Sequence, residues 1–201
     1  MGDVEKERAV HDWIVLNVDY DMSSDPPDVS YSAYGALANG KAVCQGYSLL
    51  NFKMLSAMGM KVRIVSSNSM NHAWNMVLVC GHWFHEDITW DDPDSPNRIF
   101  YDYFNLSDAE ISDDEHRHAG WTTDTDPPPP AAPDPFDPEI CLVPGDFDGN
   151  DMCDLGDLVL ALRICAGFSA SEIRRDSDTN GDAKVDLVDV LYIIETISGL
   201  R

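Results

Sequence analysis

From Asp126 to Pro138 the chain reads Asp-Pro-Pro-Pro-Pro-Ala-Ala-Pro-Asp-Pro-Phe-Asp-Pro. Proline lacks a backbone N–H and fixes φ, so this density excludes regular helix and sheet and predicts a stiff, extended spacer. The 201 residues are thereby divided into a front domain over 1–125, a linker over 126–139 and a small back domain over 140–201. Each part must bury a core of its own.

The back part contains a repeat. Asp146-Phe-Asp-Gly-Asn-Asp-Met-Cys-Asp-Leu-Gly-Asp157 returns as Asp178-Thr-Asn-Gly-Asp-Ala-Lys-Val-Asp-Leu-Val-Asp189. A hard cation such as Ca²⁺ takes oxygen ligands from positions 1, 3, 5, 9 and 12 of a twelve-residue loop, with a backbone carbonyl at position 7. The first loop supplies Asp146, Asp148, Asn150, Met152 (carbonyl), Asp154 and Asp157, and the second Asp178, Asn180, Asp182, Lys184 (carbonyl), Asp186 and Asp189. Two Ca²⁺ sites are expected, each followed by an apolar helix, over 158–165 and 190–197. Position 12 is Asp rather than Glu, and position 6 is Asp151 or Ala183 rather than Gly. Alanine is the more strained of the two in a left-handed backbone, so weaker binding is expected in the second loop.

The front part carries three patterned segments: Gly40-Lys-Ala-Val-Cys-Gln-Gly-Tyr-Ser48, Asn71-His-Ala-Trp-Asn75, and Trp83-Phe-His-Glu-Asp-Ile-Thr-Trp-Asp-Asp-Pro93. A cysteine, a histidine and an aspartate are the parts of a thiol nucleophile, its base and the group that orients the base. Cys44, His72 and Asp87 are read as that set. Cys44 opens an apolar run ending at Gly59, which puts the thiol at a helix N-terminus, where the partial positive charge favours the thiolate. No Asp or Glu occurs from Val29 to His85, which spares it sequence-local anions. Lys61–Ser66 reads as a strand, and His72–Val79 with His82–Trp90 as a hairpin turning at Cys80-Gly81. In that register Val79 faces His82 and Trp74 faces Asp87, so His72 and Asp87 share a face as diagonal neighbours.

Residues 4–17 are expected to form an amphipathic helix on the sheet, with Ala9, Val10, Trp13, Ile14 and Leu16 on the apolar side. A short helix is expected over Tyr31–Ala38, and Ser107 with Glu110 marks a capping box. The remaining histidines, His11, His82, His85, His116 and His118, read as surface or packing residues. Asp113-Asp114-Glu115 reads as a solvated face, or more sharply as a rim attracting a cationic substrate.

Thirteen basic residues stand against 36 acidic ones, a net charge of −23. Such a chain is a poor ligand for nucleic acid or anionic membranes, and no apolar run approaches a membrane span. No secretory leader is visible at Met1-Gly2-Asp3-Val4-Glu5, and the Met-Gly start suggests that an upstream signal was removed. The five cysteines, Cys44, Cys80, Cys141, Cys153 and Cys165, are an odd set consistent with one reactive thiol; pairing among the others is open.

The three front segments, with Tyr101-Asp-Tyr-Phe-Asn-Leu-Ser107, resemble bacterial transglutaminase-like proteins, related in their active sites to papain-type proteases. The resemblance covers about residues 5–118. It implies an α+β fold with an antiparallel sheet, with Cys44 as nucleophile, His72 as general base and Asp87 as its partner. Protein or peptide amides are the implied substrates, by hydrolysis, or by cross-linking where an amine resolves the thioester; inactive binding members also exist. The back part resembles a type I dockerin, a small all-α module of two loop-helix repeats. That likeness implies a cohesin module of a scaffoldin as partner, and an extracellular place on the cellulosome of a fibre-degrading bacterium. Leu155-Gly156 and Leu187-Val188 stand at the positions that set partner choice.

Overall fold

The structure, a computed structural model, describes residues 2–93, 98–125, 127–150, 152–169, 173, 177–180, 182 and 184–200. Asp151 and Ala183, read above as loop position 6, lie outside them. Asp3–Asp137 form one compact unit, and the chain from Pro138 onward belongs to a second.

The front unit opens with α1 (Asp3–Asn17), whose first turn places Asp3 and Glu5 at the positive end of the helix. Its buried stripe is Glu7, Val10, His11, Ile14 and Val15, whereas Trp13 and Leu16 are 36% and 50% exposed. The expected apolar face is thus rotated. The reason is chemical: Glu7 accepts from Asn105 Nδ2 at 2.8 Å and His11 Nε2 lies 3.2 Å from Asp91, so two polar side chains have buried partners.

Strand β1 (Asp19–Tyr20) pairs in parallel with β2 (Lys41–Ala42), setting Tyr20 beside Ala42. Between them the single helix expected over Tyr31–Ala38 is replaced by a 3₁₀ turn, Asp28–Tyr31, and a π-helical turn, Gly35–Asn39. Gly35 packs directly against the Val29 carbonyl, where a Cβ would meet the oxygen at 2.1 Å, so the chain folds back on itself here. Helix α2 (Cys44–Ala57) follows, with Cys44 as its first residue.

Five strands form one antiparallel sheet: β3 (Val62–Ser67), β4 (His72–Val79), β5 (His82–Glu86), β6 (Phe104–Leu106) and β7 (Trp121–Thr123), in the order β6-β5-β4-β3-β7. The β4–β5 turn is Cys80-Gly81, with φ of +49° and +85°, and the register pairs Val79 with His82 and Asn75 with Glu86, as the hairpin reading requires. Strand β5 stops at Glu86 instead of reaching Trp90, because Asp87 caps a short helix, α3 (Ile88–Asp91). After β6, Ser107 and Glu110 form the capping box of α4 (Asp108–Ile111). Helix α1 packs mainly on α2 and α3 rather than on the sheet.

Alternation on β4 serves two layers. Asn75 turns towards α2, donating to the Ser48 carbonyl at 3.2 Å, while Trp74 and Met76 join Val65, Trp83, Trp121 and Ala131 on the opposite face. The proline-rich stretch contributes Ala131 to that side. Ala132 N–H donates to the Trp83 carbonyl at 2.8 Å, and Phe136 meets Phe84 edge-on, so 131–136 lie against β5.

In the second unit α5 (Leu155–Cys165) and α6 (Leu187–Ile197) start three residues earlier than the apolar run alone suggests. Asp154 and Asp186 are the N-caps, each in a capping box with Asp157 or Asp189. Phe147, Ala161, Val190 and Ile193 form the core. Cys44, Cys153 and Cys165 are free thiols, while Cys80 and Cys141 are disulfide-bonded. No helix among the described residues is long and apolar enough to cross a membrane.

Candidate active site

Three elements converge on one end of the sheet. Helix α2 brings Cys44 in its first turn, β4 brings His72 as its first residue, and the junction of β5 with α3 brings Asp87. His72 Nε2 lies 2.6 Å from Asp87 Oδ2. The other ring nitrogen is left for the thiol, and His72 and the Ala73 N–H are the groups that stabilise a charge on Cys44. The structure brings all three residues together.

The electrostatics favour an ion pair. Burial would raise the Cys44 pKa, but the hydrogen bond and charge of His72, then the Ala73 N–H, bring it below its ordinary value. For His72, burial opposes the charged form, yet the charge and hydrogen bond of Asp87, with the thiol's contribution, push its pKa up to about 10. Asp87 is fully buried, which by itself raises its pKa; His72 and His118 outweigh that and hold it below the ordinary carboxylate value. The thiolate–imidazolium form is thus favoured between the lowered pKa of the thiol and the raised pKa of the imidazole.

Asp87 uses both oxygens. Oδ1 accepts the Thr89 and Trp90 N–H groups at 3.1 and 3.4 Å, as a helix cap, and Oδ2 accepts from His72 and also from His118 Nε2 at 2.8 Å. His118 is a correction to the surface-or-packing reading: it belongs to the site. No motif in its sequence neighbourhood announces this. His11 and His85 are likewise fully buried and paired, with Asp91 and with Asp108 and Trp74, respectively.

The cleft beside Cys44 measures about 490 Å³ and is lined by Tyr20, Asp21, Met22, Tyr31, Gln45, Ser67, Asn71 and His72, among others. Tyr34 is not among its lining residues. A second depression of about 390 Å³ shares Tyr20, Met22 and His72 and is completed by Thr89, Trp90, Asp92 and Pro93. Asp21 brings into the cleft an anion that the acid-free interval does not disclose. Its carboxylate accepts from Ser23 and Ser30 at 2.6 Å and pairs with Lys41 at 3.0 Å, and these donors hold it well below the usual carboxylate range. Tyr20 was also unforeseen. It lines the cleft together with Cys44, and burial, then the charge of Cys44, raise its pKa.

At the acidic rim Asp113 is engaged locally, accepting from the Glu115 and His116 N–H groups at 2.8 Å and pairing with the His116 ring at 2.9 Å. That arrangement is the solvated face of the blander reading.

The front part of the chain is similar to known proteins. The family model for the transglutaminase-like superfamily matches residues 1–88. Human kyphoscoliosis peptidase is 27% identical over 104 residues, which are 44% of this chain but 16% of that protein, so the chain spans only a small part of this relative. Among solved structures, a candidate cysteine protease from Cytophaga hutchinsonii is 25% identical, with a TM-score of 0.36 over 43% of this chain and 31% of its own. A TGase is 17% identical, with a TM-score of 0.40 over 49% and 29%. Over residues 1–88 the front part of this chain is similar to the transglutaminase-like superfamily.

Proposed function

We propose that the front unit is a thiol enzyme that hydrolyses protein or peptide amides. The observation that carries this reading is Cys44 at the start of α2, its thiol pKa lowered by a histidine that is itself 2.6 Å from a buried carboxylate. The Cys44 thiolate attacks the amide carbonyl, forming a C–S bond. His72 gives its proton to the leaving amine as the C–N bond breaks. Water then adds to the thioester, the C–S bond breaks, and the proton returns to the thiolate–imidazole pair. The Cys44 N–H, at the start of α2, is a donor available to the oxyanion.

Mass spectrometry of a glutamine- and lysine-containing protein incubated with the full chain and an added amine tests the reaction. Backbone cleavage that disappears in Cys44→Ala is the expected result. Amine adducts or cross-links would instead assign acyl transfer, and no Cys44-dependent change would leave a binding module as the better account.

For the back unit the reading is a calcium-dependent docking module whose partner is a cohesin of a scaffoldin, placing the enzyme on an extracellular cellulosome. Carboxylate oxygens of Asp146, Asp148 and Asp157 lie within 4.8 Å of one another, a donor set suited to a hard cation. Burial, then repulsion from Asp157, raises the Asp148 pKa, a cost that a cation would relieve. Asn150, Asp154 and the Met152 carbonyl complete the first proposed site. Asp178, Asn180, Asp182, Asp186, Asp189 and the Lys184 carbonyl make the second. Bound Ca²⁺ would neutralise these carboxylates and cross-link each loop. Apolar residues exposed at equivalent positions of the two helices, Leu155 with Leu187, Val159 with Leu191 and Leu162 with Ile194, offer a partner surface. Disulfide bonding of Cys80 and Cys141 suits an oxidising compartment.

Chelation of Ca²⁺ is expected to remove about 4 kcal/mol of stability from the back unit at saturating metal, and to abolish capture by immobilised cohesin. Melting and capture unchanged by chelator would refute the docking reading.

A further inference from the structure

His118 is 0% exposed, and both its ring nitrogens meet acceptors. Nε2 lies 2.8 Å from Asp87 Oδ2, and Nδ1 lies 3.0 Å from the backbone carbonyl of His116. A carbonyl cannot donate, and neither can an ionised carboxylate. A neutral imidazole has one N–H, so it would leave one of these contacts as lone pair against lone pair. The doubly protonated ring satisfies both.

The remaining contacts of Asp87 agree that it is ionised. Oδ1 accepts two backbone N–H groups and Oδ2 accepts from His72 as well, so a proton on either oxygen would displace an existing donor. The groups around His118 are otherwise aromatic: Trp74 at 4.6 Å, Trp90 at 4.4 Å and Tyr103 at 5.6 Å between ring centroids. The titratable groups facing it are Asp87, His72 at 5.7 Å, Tyr103 and, through charge, His85, which is paired with Asp108.

Resting on the thiol-enzyme reading above, we propose that His118 is a cationic positioning residue, the fourth member of a Cys44–His72–Asp87–His118 chain. Its imidazolium fixes the Asp87 carboxylate and balances its charge. The four groups then sum to zero: Asp87 is offset by His118, and the Cys44 thiolate by the His72 imidazolium. Without the His118 cation, Asp87 would act unopposed on both members of the ion pair. Cys44 would ionise, and His72 would lose its proton, at higher pH.

The test is the rate of Cys44 carboxamidomethylation by iodoacetamide in the full chain, followed by peptide mass spectrometry across a pH series. His118→Gln keeps one donor for Asp87 but carries no charge. Its limbs are expected to move upward by about one pH unit. Unmoved limbs in a folded variant would overturn the proposal and leave His118 a packing residue. Should His118→Gln not fold, nitrogen NMR of the unaltered chain decides the matter: two protonated His118 ring nitrogens at neutral pH support it, and one bare nitrogen overturns it. A Cys44 no more reactive than a model thiol would defeat the enzyme reading alone, since the NMR result does not depend on it.

Discussion

Replacing Asp87 by asparagine is expected to lower Cys44-dependent turnover by about 10⁴-fold while leaving the fold in place. The carboxylate accepts from four donors, two through each oxygen. An asparagine can cap α3 through its oxygen, since Asn is among the best N-cap residues. The remaining corner of the side chain then becomes an NH₂ group facing two ring N–H groups. To avoid that clash His72 must present a bare Nε2, which moves its proton to the nitrogen facing Cys44 and removes the base. The thiol is then left without its imidazolium partner. Circular dichroism and melting temperature check that the fold survives, and turnover of the amide identified by mass spectrometry reads the loss. A decrease of less than tenfold in a folded variant would mean that Asp87 does not set the His72 tautomer.

The second large effect concerns a buried polar cluster beneath the site. Glu7 on α1 and Glu86 on β5 are both 0% exposed, and the Glu86 pKa is raised by burial and then by the charge of Glu7. Glu7 Oε1 and Glu86 Oε1 have no hydrogen-bond partner among the described residues. Burial is the main cause that pushes the Glu7 pKa up to about 8, although the Asn105 hydrogen bond opposes it. The folded unit then holds a proton that the unfolded chain has released, from pH near 4.5 to about 8. Over that window the folded state binds more protons, so stability falls as pH rises and levels off for this group above about 8.

Glu7→Gln removes the ionisation and supplies an NH₂ donor in place of the proton. It is expected to stabilise the front unit at alkaline pH by on the order of a few kcal/mol, with little effect below the ordinary carboxylate pKa. His72 contributes a second alkaline loss, between 6.5 and about 10, because its folded pKa is raised. The difference between wild type and Glu7→Gln, followed by thermal unfolding at several pH values, isolates the carboxyl. Parallel curves for the two proteins would refute the protonated Glu7.

The parts of this fold that were legible in sequence are those fixed by short-range rules. Cys80-Gly81 determined the hairpin register, and through it the common face of His72 and Asp87. Cys44 before an apolar run gave the helix start, and Ser107 with Glu110 gave a capping box. What escaped was set by long-range pairing. The buried face of α1 includes Glu7 and His11, which look solvent-facing until Asn105 and Asp91 are brought to them. The π-helical turn at Gly35 answers to a backbone approach from Val29, and β7 is a strand because it finds the free edge of β3. His118 follows an acidic loop and carries no pattern; only the folding of that loop over Trp74 and Trp90 delivers it to Asp87.

Asp87 occupies the single point where a strand ends and a helix begins, and it spends one oxygen on the backbone and the other on two side chains. The local architecture and the reactive geometry therefore share one atom group, and opening of the cap disturbs both. Fraying of α3 releases the Thr89 and Trp90 N–H groups and frees the carboxylate to rotate away from His72. In the unaltered chain Cys44 reactivity is therefore a reporter of whether this one corner of the domain is closed.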